Sequence, residues 1–203
     1  MAQERGRNLI ESIRTSVRRI AWGITGSAHQ LIETYNVLSD IKKRTSVKFT
    51  VFLSKEGERV AKWYQLWERI QSDFPDFKVE EGPNDPFIAG PLQMGYYDLL
   101  IIAPATANTV AKVVCGIADT LVTNAVSQTA KGTTPIYILP ADRKAGRIKA
   151  VAPSGKTFEI SMRAVDVNNT ARLGKMENIT LLEHPDEIYN LVGLAPPAGG
   201  AHS

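Results

Sequence analysis

Three short segments of this chain combine small residues with side-chain hydroxyls and amides. The first is Gly23-Ile24-Thr25-Gly26-Ser27-Ala28. Two glycines and two hydroxyls at a strand-to-helix turn suit an anion. Glycine lets the backbone approach closely, and the free N–H groups and dipole of a helix start favour a phosphate. The spacing is neither the dinucleotide pattern Gly-x-Gly-x-x-Gly nor a P-loop. The second segment is Ser54-Lys55-Glu56-Gly57. There Ser54 either adds a hydroxyl to the same ligand or caps the helix that follows. The third, Ala103-Pro104-Ala105-Thr106-Ala107-Asn108-Thr109, is the most informative. Its small residues admit a flat ligand, and Thr106, Asn108 and Thr109 offer more donors and acceptors than a helix cap requires.

Other candidates carry less. His29 and Glu33 lie four apart and share a helix face. Without further ligands they make no metal pair, so surface packing is the simpler role. The nearness of His29 to the glycine turn leaves a ligand contact or a proton-donor role open. Cys115, within Val113-Val114-Cys115-Gly116, reads as a small buried apolar residue. Ser154-Gly155-Lys156-Thr157 matches the end of a P-loop, but the first glycine of that motif would fall on Ala150. Asn168-Asn169-Thr170 and Asn178-Ile179-Thr180 match glycosylation sequons, which a cytoplasmic protein does not use.

The elements that must position these segments alternate. Residues 1–18 have helical spacing at Leu9, Ile10, Ile13 and Val17 and a basic end, which predicts a leading surface helix. Strands are predicted at 20–24, 47–53, 77–79, 99–102, 136–139 and 179–182. Helices are predicted at about 28–40, 56–71, 107–116, 120–130 and from Pro185 to Val192, with a short helix or loop within 86–95. On the 56–71 helix, Val60, Trp63, Tyr64 and Trp67 share a side. Such βαβα alternation means a parallel sheet with helices on both faces, and the continuous apolar runs suit central strands buried on both sides. Residues 141–175 break the rhythm and are expected as an irregular insertion, with 157–160 a strand or hairpin arm. The whole of 1–194 is expected to be one α/β domain, and Ala195-Pro196-Pro197-Ala198-Gly199-Gly200 to open a disordered tail through 203.

Composition bounds the function. The 203 residues carry a formal net charge of +3, too small to argue for nucleic acid. A single cysteine excludes a disulfide framework or a cysteine-ligated metal centre within one chain, and a total of three histidines argues against a histidine metal site. The longest apolar runs are about six residues, against roughly 20 for a membrane span. Glu4 and Glu11 without a long apolar stretch do not make a secretory signal, so the expected compartment is the cytoplasm.

Gly23-Ile24-Thr25-Gly26-Ser27, Ser54 and Pro104-Ala105-Thr106-Ala107-Asn108-Thr109 together resemble the flavoprotein superfamily of homo-oligomeric flavin-containing cysteine decarboxylases. Its marker is a Pro-Ala-Ser-Ala-Asn-Thr loop after the fourth strand; here Thr106 replaces the serine. The run from Gly116 to Ala125 is similar to the family as well, and the resemblance covers about residues 20–140. It implies a three-layer Rossmann-like (flavodoxin-like) fold that binds FMN between subunits of a trimer, or of a multiple of trimers. By position, Gly26, Ser27 and Ser54 would hold the FMN phosphate. Ala105, Thr106, Asn108 and Thr109 would contact the ribityl chain and ring, with Thr25 and Pro104 completing the cofactor-binding set.

Departures narrow the activity. The decarboxylases carry a catalytic histidine about eight residues before the Asp98 position, which here is Gly90, and no histidine lies between His29 and His184. Their Pro-Ala-Met-Asn clamp is replaced by Pro140-Ala141-Asp142-Arg143-Lys144. Decarboxylation thus loses its base and its clamp. The Gly-Ala-Ser-Gly loop of flavin prenyltransferases is also absent. The run from Arg163 through Asp166, Asn169, Leu173, Met176 and Glu177 to Ile179 resembles the archaeal-type branch, which includes dihydromethanopterin reductases. That branch implies an FMN-dependent oxidoreductase of one-carbon metabolism. It would pass a hydride from reduced flavin to a dihydropterin, dihydromethanopterin becoming tetrahydromethanopterin. With Cys115 alone, no iron–sulfur centre is expected, and electrons would come from NAD(P)H or a redox partner. Arg143, Lys144, Arg147, Lys149 and Arg163 would attract the acidic tail of such a substrate. The alternative is an FMN electron carrier with no pterin site; a decarboxylase using other residues ranks last.

Overall fold

A computed structural model describes residues 17–152 and 154–197 of the chain. Six parallel strands form one sheet: β1 (Arg19–Ile24), β2 (Lys48–Leu53), β3 (Phe77–Val79), β4 (Leu99–Ala105), β5 (Ile136–Pro140) and, near the end, β8 (Ile179–Leu181). Their spatial order is β3-β2-β1-β4-β5-β8, so the direction of winding reverses between β1 and β4. Between β5 and β8 the chain makes an antiparallel hairpin, β6 (Arg147–Val151) and β7 (Thr157–Ser161).

Alternation along the strands divides the core between two faces. Ile20, Trp22 and Ile24 of β1, with Leu99, Ile101 and Ala103 of β4, face one side. There they meet α1 (Leu31–Arg44), α2 (Lys55–Trp63), α3 (Trp67–Asp73) and α8 (Glu187–Leu191) through Leu38, Ile41, Val60, Ile70, Phe74 and Ile188. Ala21, Leu100, Ile102 and Ala105 face the other side. They pack with α4 (Ala89–Gln93), α5 (Ala107–Val114), α6 (Leu121–Thr129) and α7 (Ala164–Leu173) through Leu92, Val110, Val122, Val126 and Leu173. This is the three-layer, flavodoxin-like α/β arrangement expected from the sequence. Every residue of β4 is buried, as a central strand covered on both faces requires.

Several elements differ from their predicted form. The helix predicted over 56–71 is two helices. Gln65 adopts a left-handed φ of 57°, its N–H donates to the Lys62 carbonyl (3.1 Å), and the Leu66 N–H reaches back to the Ala61 carbonyl (2.8 Å). That pair of bonds closes a helix C-terminus. The turn lets Leu66, Ile70 and Phe74 enter the core; of the expected common face, Val60, Tyr64 and Trp67 pack against the core, while Trp63 is left 63% exposed. The first helix starts at Leu31 rather than near Ala28, because Gln30 is also left-handed (φ 53°).

The 141–175 segment is ordered into β6, β7 and α7 rather than irregular. Its helix has no side-chain N-cap bond, and the residues it buries are Asp166, Thr170 and Leu173. Cys115 is exposed, not buried: Val110 and Val113 take the inward positions of α5, Val114 packs partly against the same core, and Cys115 lies past the end of the helix. Pro185 precedes the last helix rather than starting it. The leading helix predicted for 1–18 lies outside the described residues except for Val17 and Arg18, which are not helical. Of the tail, 198–203 lie outside the described residues, while the Ala195 carbonyl accepts two hydrogen bonds from Arg44.

Trp22 is fully buried, and its indole N–H donates to the Ala103 carbonyl across the β1–β4 pair (2.7 Å). Trp22→Phe should lower the unfolding free energy by about 1–3 kcal/mol, since a buried carbonyl loses its indole donor. Urea denaturation with an unchanged midpoint would refute this.

Candidate functional site

In an open parallel sheet, ligands settle beyond the carboxyl ends of the strands where the winding reverses. Here that point joins the loop after β1 to the loop after β4. Thr25, 2% exposed, is the tie between them. Its hydroxyl donates to the Pro104 carbonyl (2.8 Å) and accepts from the Thr106 N–H (2.9 Å). Pro104 follows a cis peptide bond.

Two adjoining clefts open here. The first holds about 380 Å³ and is lined by polar groups of Gly26, Ser54, Lys55, Thr106, Asn108, Thr109, Lys112 and Thr120. Three helices begin at its wall. Ser54 caps α2 by accepting from the Gly57 N–H (3.0 Å), Thr106 caps α5 by accepting from the Thr109 N–H (3.2 Å), and Thr120 caps α6 in a reciprocal box with Thr123. Three helix starts and two lysines make a wall suited to an anion, although Glu56 and Glu80 also reach it. Glu80 is engaged at the start of α6, accepting from the Leu121 N–H (2.7 Å). Lys112 is paired to Asp119 (2.8 Å). At Gly26 a methyl group would meet Glu56 Cβ at 2.6 Å, so the turn leaves no room for a side chain between the β1 loop and α2.

The second cleft is larger, about 640 Å³, and more apolar. Trp63 and Ile32, from α2 and α1, face Phe158, Ile160 and Met162 of the hairpin arm and its end. Its polar groups come from Ser27, His29, Gln30 and Glu33 on one side and Asp142 on the other. The two clefts share Gly26, Val60, Trp63 and Thr106. Burial, helped by the Arg143 charge, holds the His29 imidazole below its ordinary pKa, against the opposing pull of Glu33 and Asp142. Asp142 is raised, first by burial and then by the neighbouring Asp166 carboxylate; His29 and Arg163 work the other way.

Of the nine residues expected at a cofactor, seven line the clefts: Thr25, Gly26, Ser27, Ser54, Thr106, Asn108 and Thr109. Pro104 and Ala105 lie behind the wall, buried, and act through their backbone: Pro104 holds Thr25, and the Ala105 carbonyl accepts from the Ala141 N–H (2.9 Å). The hydroxyls of Ser54 and Thr106 are both used as caps, so what they leave facing the cleft is chiefly the free N–H groups of the helix starts. Sequence reasoning missed Lys55, Lys112, Thr120 and Trp63. Thr120-x-x-Thr123 was readable as a cap, and Trp63 became visible only once the helix broke.

The basic residues expected to meet a substrate tail are mostly engaged. Arg143 donates to the Leu182 carbonyl (3.2 Å) and to that of Glu183, and Arg163 grips Asp166 through two bonds (2.6 and 2.8 Å). Arg147 lies 3.8 Å from Glu159, Lys144 is exposed, and the side chain of Lys149 lies outside the described residues.

A doubly wound sheet with an anion-suited cleft at its switch point defines an α/β protein built to hold a phosphorylated ligand. The chain belongs to the Flavoprotein family, whose model matches residues 10–185. It is 44% identical over 174 residues to an uncharacterized protein of Methanocaldococcus jannaschii, covering 86% of this chain and 94% of that one. It is 32% identical to a dihydromethanopterin reductase (acceptor) of the same organism, covering 87% and 96%. Among solved structures it resembles the FMN complex of Burkholderia xenovorans DmrB, described as a cubic protein cage for redox transfer. That likeness has a TM-score of 0.73 and 30% identity, over 87% of this chain and 93% of that one. No helix among the described residues is long and apolar enough to cross a membrane.

Because the folded state holds His29 below its unfolded pKa, it resists protonation there. His29 thus subtracts nothing from stability above pH 6.5 and subtracts progressively as pH falls from 6.5 through the folded value. An NMR titration of histidine-labelled protein should find the His29 resonance titrating below 6.5. Asp142→Asn should lower that midpoint further and Arg143→Ala should raise it; opposite shifts would overturn the assignment of these neighbours.

Proposed function

We propose that this protein is an FMN-dependent oxidoreductase that reduces a dihydropterin, in the manner of dihydromethanopterin to tetrahydromethanopterin. The observation that carries the reading is the pair of adjoining clefts in a chain of the Flavoprotein family: one suited to a phosphate, the other apolar and broad enough for a second flat ring. The near full-length likeness to a dihydromethanopterin reductase supports the substrate class.

FMN fits the first cleft. Its phosphate would rest against Gly26 and the starts of α2 and α5, beside Ser27, Ser54 and Lys55. Thr106, Asn108 and Thr109 would hold the ribityl chain and ring edge, with Thr25, Pro104 and Ala105 fixing the loop geometry. When bound, FMN would supply a hydride to the carbon of a pterin C=N bond, the flavin returning to its oxidised form and the nitrogen taking its proton from bulk solvent. The chain's own part is to fix two rings against each other and to keep water from between them. Val60 and Trp63, common to both clefts, are the apolar floor for that contact. No strong protein base is needed, which suits clefts with His29 as their single histidine. Reducing equivalents would come from NAD(P)H or a redox partner in the cytoplasm. The assembly would be a homotrimer or a multiple of trimers, with FMN at the subunit boundary. The DmrB cage supports an oligomer of this kind.

Asn108→Ala should weaken FMN binding by about 1–3 kcal/mol, roughly fivefold to 150-fold in Kd, because it removes a donor and an acceptor from a ligand edge. Equilibrium dialysis showing unchanged retention would count against the placement. For the activity, the flavin of the purified protein is photoreduced anaerobically and mixed with dihydromethanopterin. Rapid return of oxidised-flavin absorbance, absent with dihydrofolate, is expected. A flavin that stays reduced with the pterin but is reoxidised by generic acceptors would instead establish an electron carrier.

A further inference from the structure

Asp142, just beyond the end of β5, is half-buried and lines the second cleft. Its backbone is fixed on both sides. The Ala141 N–H donates to the Ala105 carbonyl (2.9 Å), and the Asp142 carbonyl accepts from the Thr170 hydroxyl (2.8 Å). The first bond sets Asp142 beside the loop whose Thr106 borders both clefts. The carboxyl is not held in the same way: among the described residues nothing donates a hydrogen bond to it. Nor are its oxygens among the side-chain atoms shut away without a partner, so they stay open to what enters the cleft. The groups around it do not favour a negative charge there. Arg163, ahead of α7, spends its guanidinium on Asp166 through two bonds, which leaves a carboxylate as the neighbour of Asp142. His29, from the turn before α1, is neutral near pH 7 because burial lowers its pKa. Arg143 is turned to the carbonyls of Leu182 and Glu183, and Glu33 of α1 adds a second acid to the lining. The hairpin and its ends supply Ala152, Phe158, Ile160 and Met162, none of them charged. Burial first, and the Asp166 charge second, raise the Asp142 carboxyl above the ordinary aspartate range.

We propose that Asp142 is the proton donor to the nitrogen of a ring C=N bond reduced in the second cleft. This rests on the pterin-reductase reading above and deepens it: the solvent proton reaches the ring through this carboxyl. As a hydride arrives at the ring carbon, the π electrons of the C=N bond become a lone pair on nitrogen. That nitrogen takes the carboxyl proton, an N–H bond forming as the O–H bond breaks. The carboxylate left behind is reprotonated by solvent through the open cleft. The flavin ends two electrons poorer, in its oxidised form, and NAD(P)H or the redox partner restores it. The Asp166 charge disfavours the carboxylate at Asp142, so the group reloads readily. A proton donor must lie within hydrogen-bond reach of its acceptor, and the end of a core strand holds that position better than the hairpin would.

The test uses the protein with its FMN bound. Carboxyl-carbon NMR of aspartate-labelled protein follows the Asp142 resonance, identified by its loss in the Asp142 variants. Its midpoint should lie above the ordinary aspartate value, and a midpoint at or below that value overturns the proposal. The photoreduced flavin is then reoxidised by dihydromethanopterin across a pH range in wild type, Asp142→Asn and Asp142→Glu. FMN content, affinity for dihydromethanopterin and reoxidation by ferricyanide, which takes electrons and needs no proton donor, are recorded for each. The wild-type rate should fall as pH rises through the NMR midpoint. On the low-pH plateau Asp142→Asn should be about 100-fold slower and should lose that pH dependence, with FMN, pterin affinity and the ferricyanide rate kept. Asp142→Glu should recover part of the rate. An Asp142→Asn protein as fast as wild type overturns the proposal. So does a slow one that keeps the wild-type pH profile, since a positioning role alone gives that result. If Asp142→Asn fails to fold, Asp166→Asn decides: the NMR midpoint and the fall in rate should move together to lower pH, and a rate profile that stays while the midpoint moves overturns the proposal. A wild type reoxidised by ferricyanide but not by dihydromethanopterin fails one step earlier, overturning the pterin reading and the proposal with it.

Discussion

The hydroxyl of Thr25 joins two loops that lie about eighty residues apart in the chain. By giving its proton to the Pro104 carbonyl and taking one from the Thr106 N–H, it fixes the end of β1 against the end of β4. Those are the strands between which the winding reverses. The two helix-bearing halves of the sheet diverge from that line, and both clefts take part of their lining from the loops it binds. A buried hydroxyl with both its capacities used costs little to bury and gives a direction to each partner. Thr106, held by its N–H to Thr25, is left with its side chain free to cap α5, so the tie also orients a helix start.

The same economy recurs around the first cleft. Ser54, Thr106 and Thr120 spend their hydroxyls on their own helices. A hydroxyl that looks in sequence like a ligand group thus works one step removed: it holds a helix start in place, and the helix start presents N–H groups. Gly26 and Gly57 serve the same end by absence. A methyl on Gly57 would lie 2.6 Å from the Ile24 carbonyl, and one on Gly26 would strike Glu56, so both glycines let the first turn of α2 close on the end of β1.

This explains what was legible in the sequence. Continuous apolar runs at 20–24 and 99–102 gave away central strands, because burial on both faces leaves no alternation to confuse them. The three loop segments were legible because glycine, serine and threonine at strand ends have few other uses. The break at Gln65 was not legible: it depends on a left-handed residue that is not glycine, held by bonds to Lys62 and Ala61 and by the burial of Leu66. Helix α7 was missed for the opposite reason. Its Asp166 and Thr170 are buried polar residues satisfied by Arg163 and by the Asp142 carbonyl, so the pattern of apolar residues under-reports its inner face. Arg143 and Arg163 of the basic loop also act as struts of the segment that follows β5, a role that their charge alone did not disclose.

That segment separates the chemistry of the two clefts. The first cleft is built from the loops after β1, β2 and β4, which the sheet itself holds rigid. One wall of the second belongs to the hairpin, whose ladder is its own and whose anchorage is the Arg143 grip on the carbonyls after β8 and the Thr170 hydroxyl on the Asp142 carbonyl. Phe158 and Ile160 therefore lie on an appendage, while His29 and Gln30 lie on the frame, at the start of α1. A change in the hairpin alters the shape of the second cleft without disturbing the Thr25 tie or the three helix starts. On the functional reading offered above, the cofactor sits on the part of the molecule that cannot easily change. The second cleft then sets residues of the frame, His29 and Gln30, opposite an apolar wall carried by the hairpin. On that reading the frame holds what such flavin sites share, and the hairpin wall sets what distinguishes one acceptor from another.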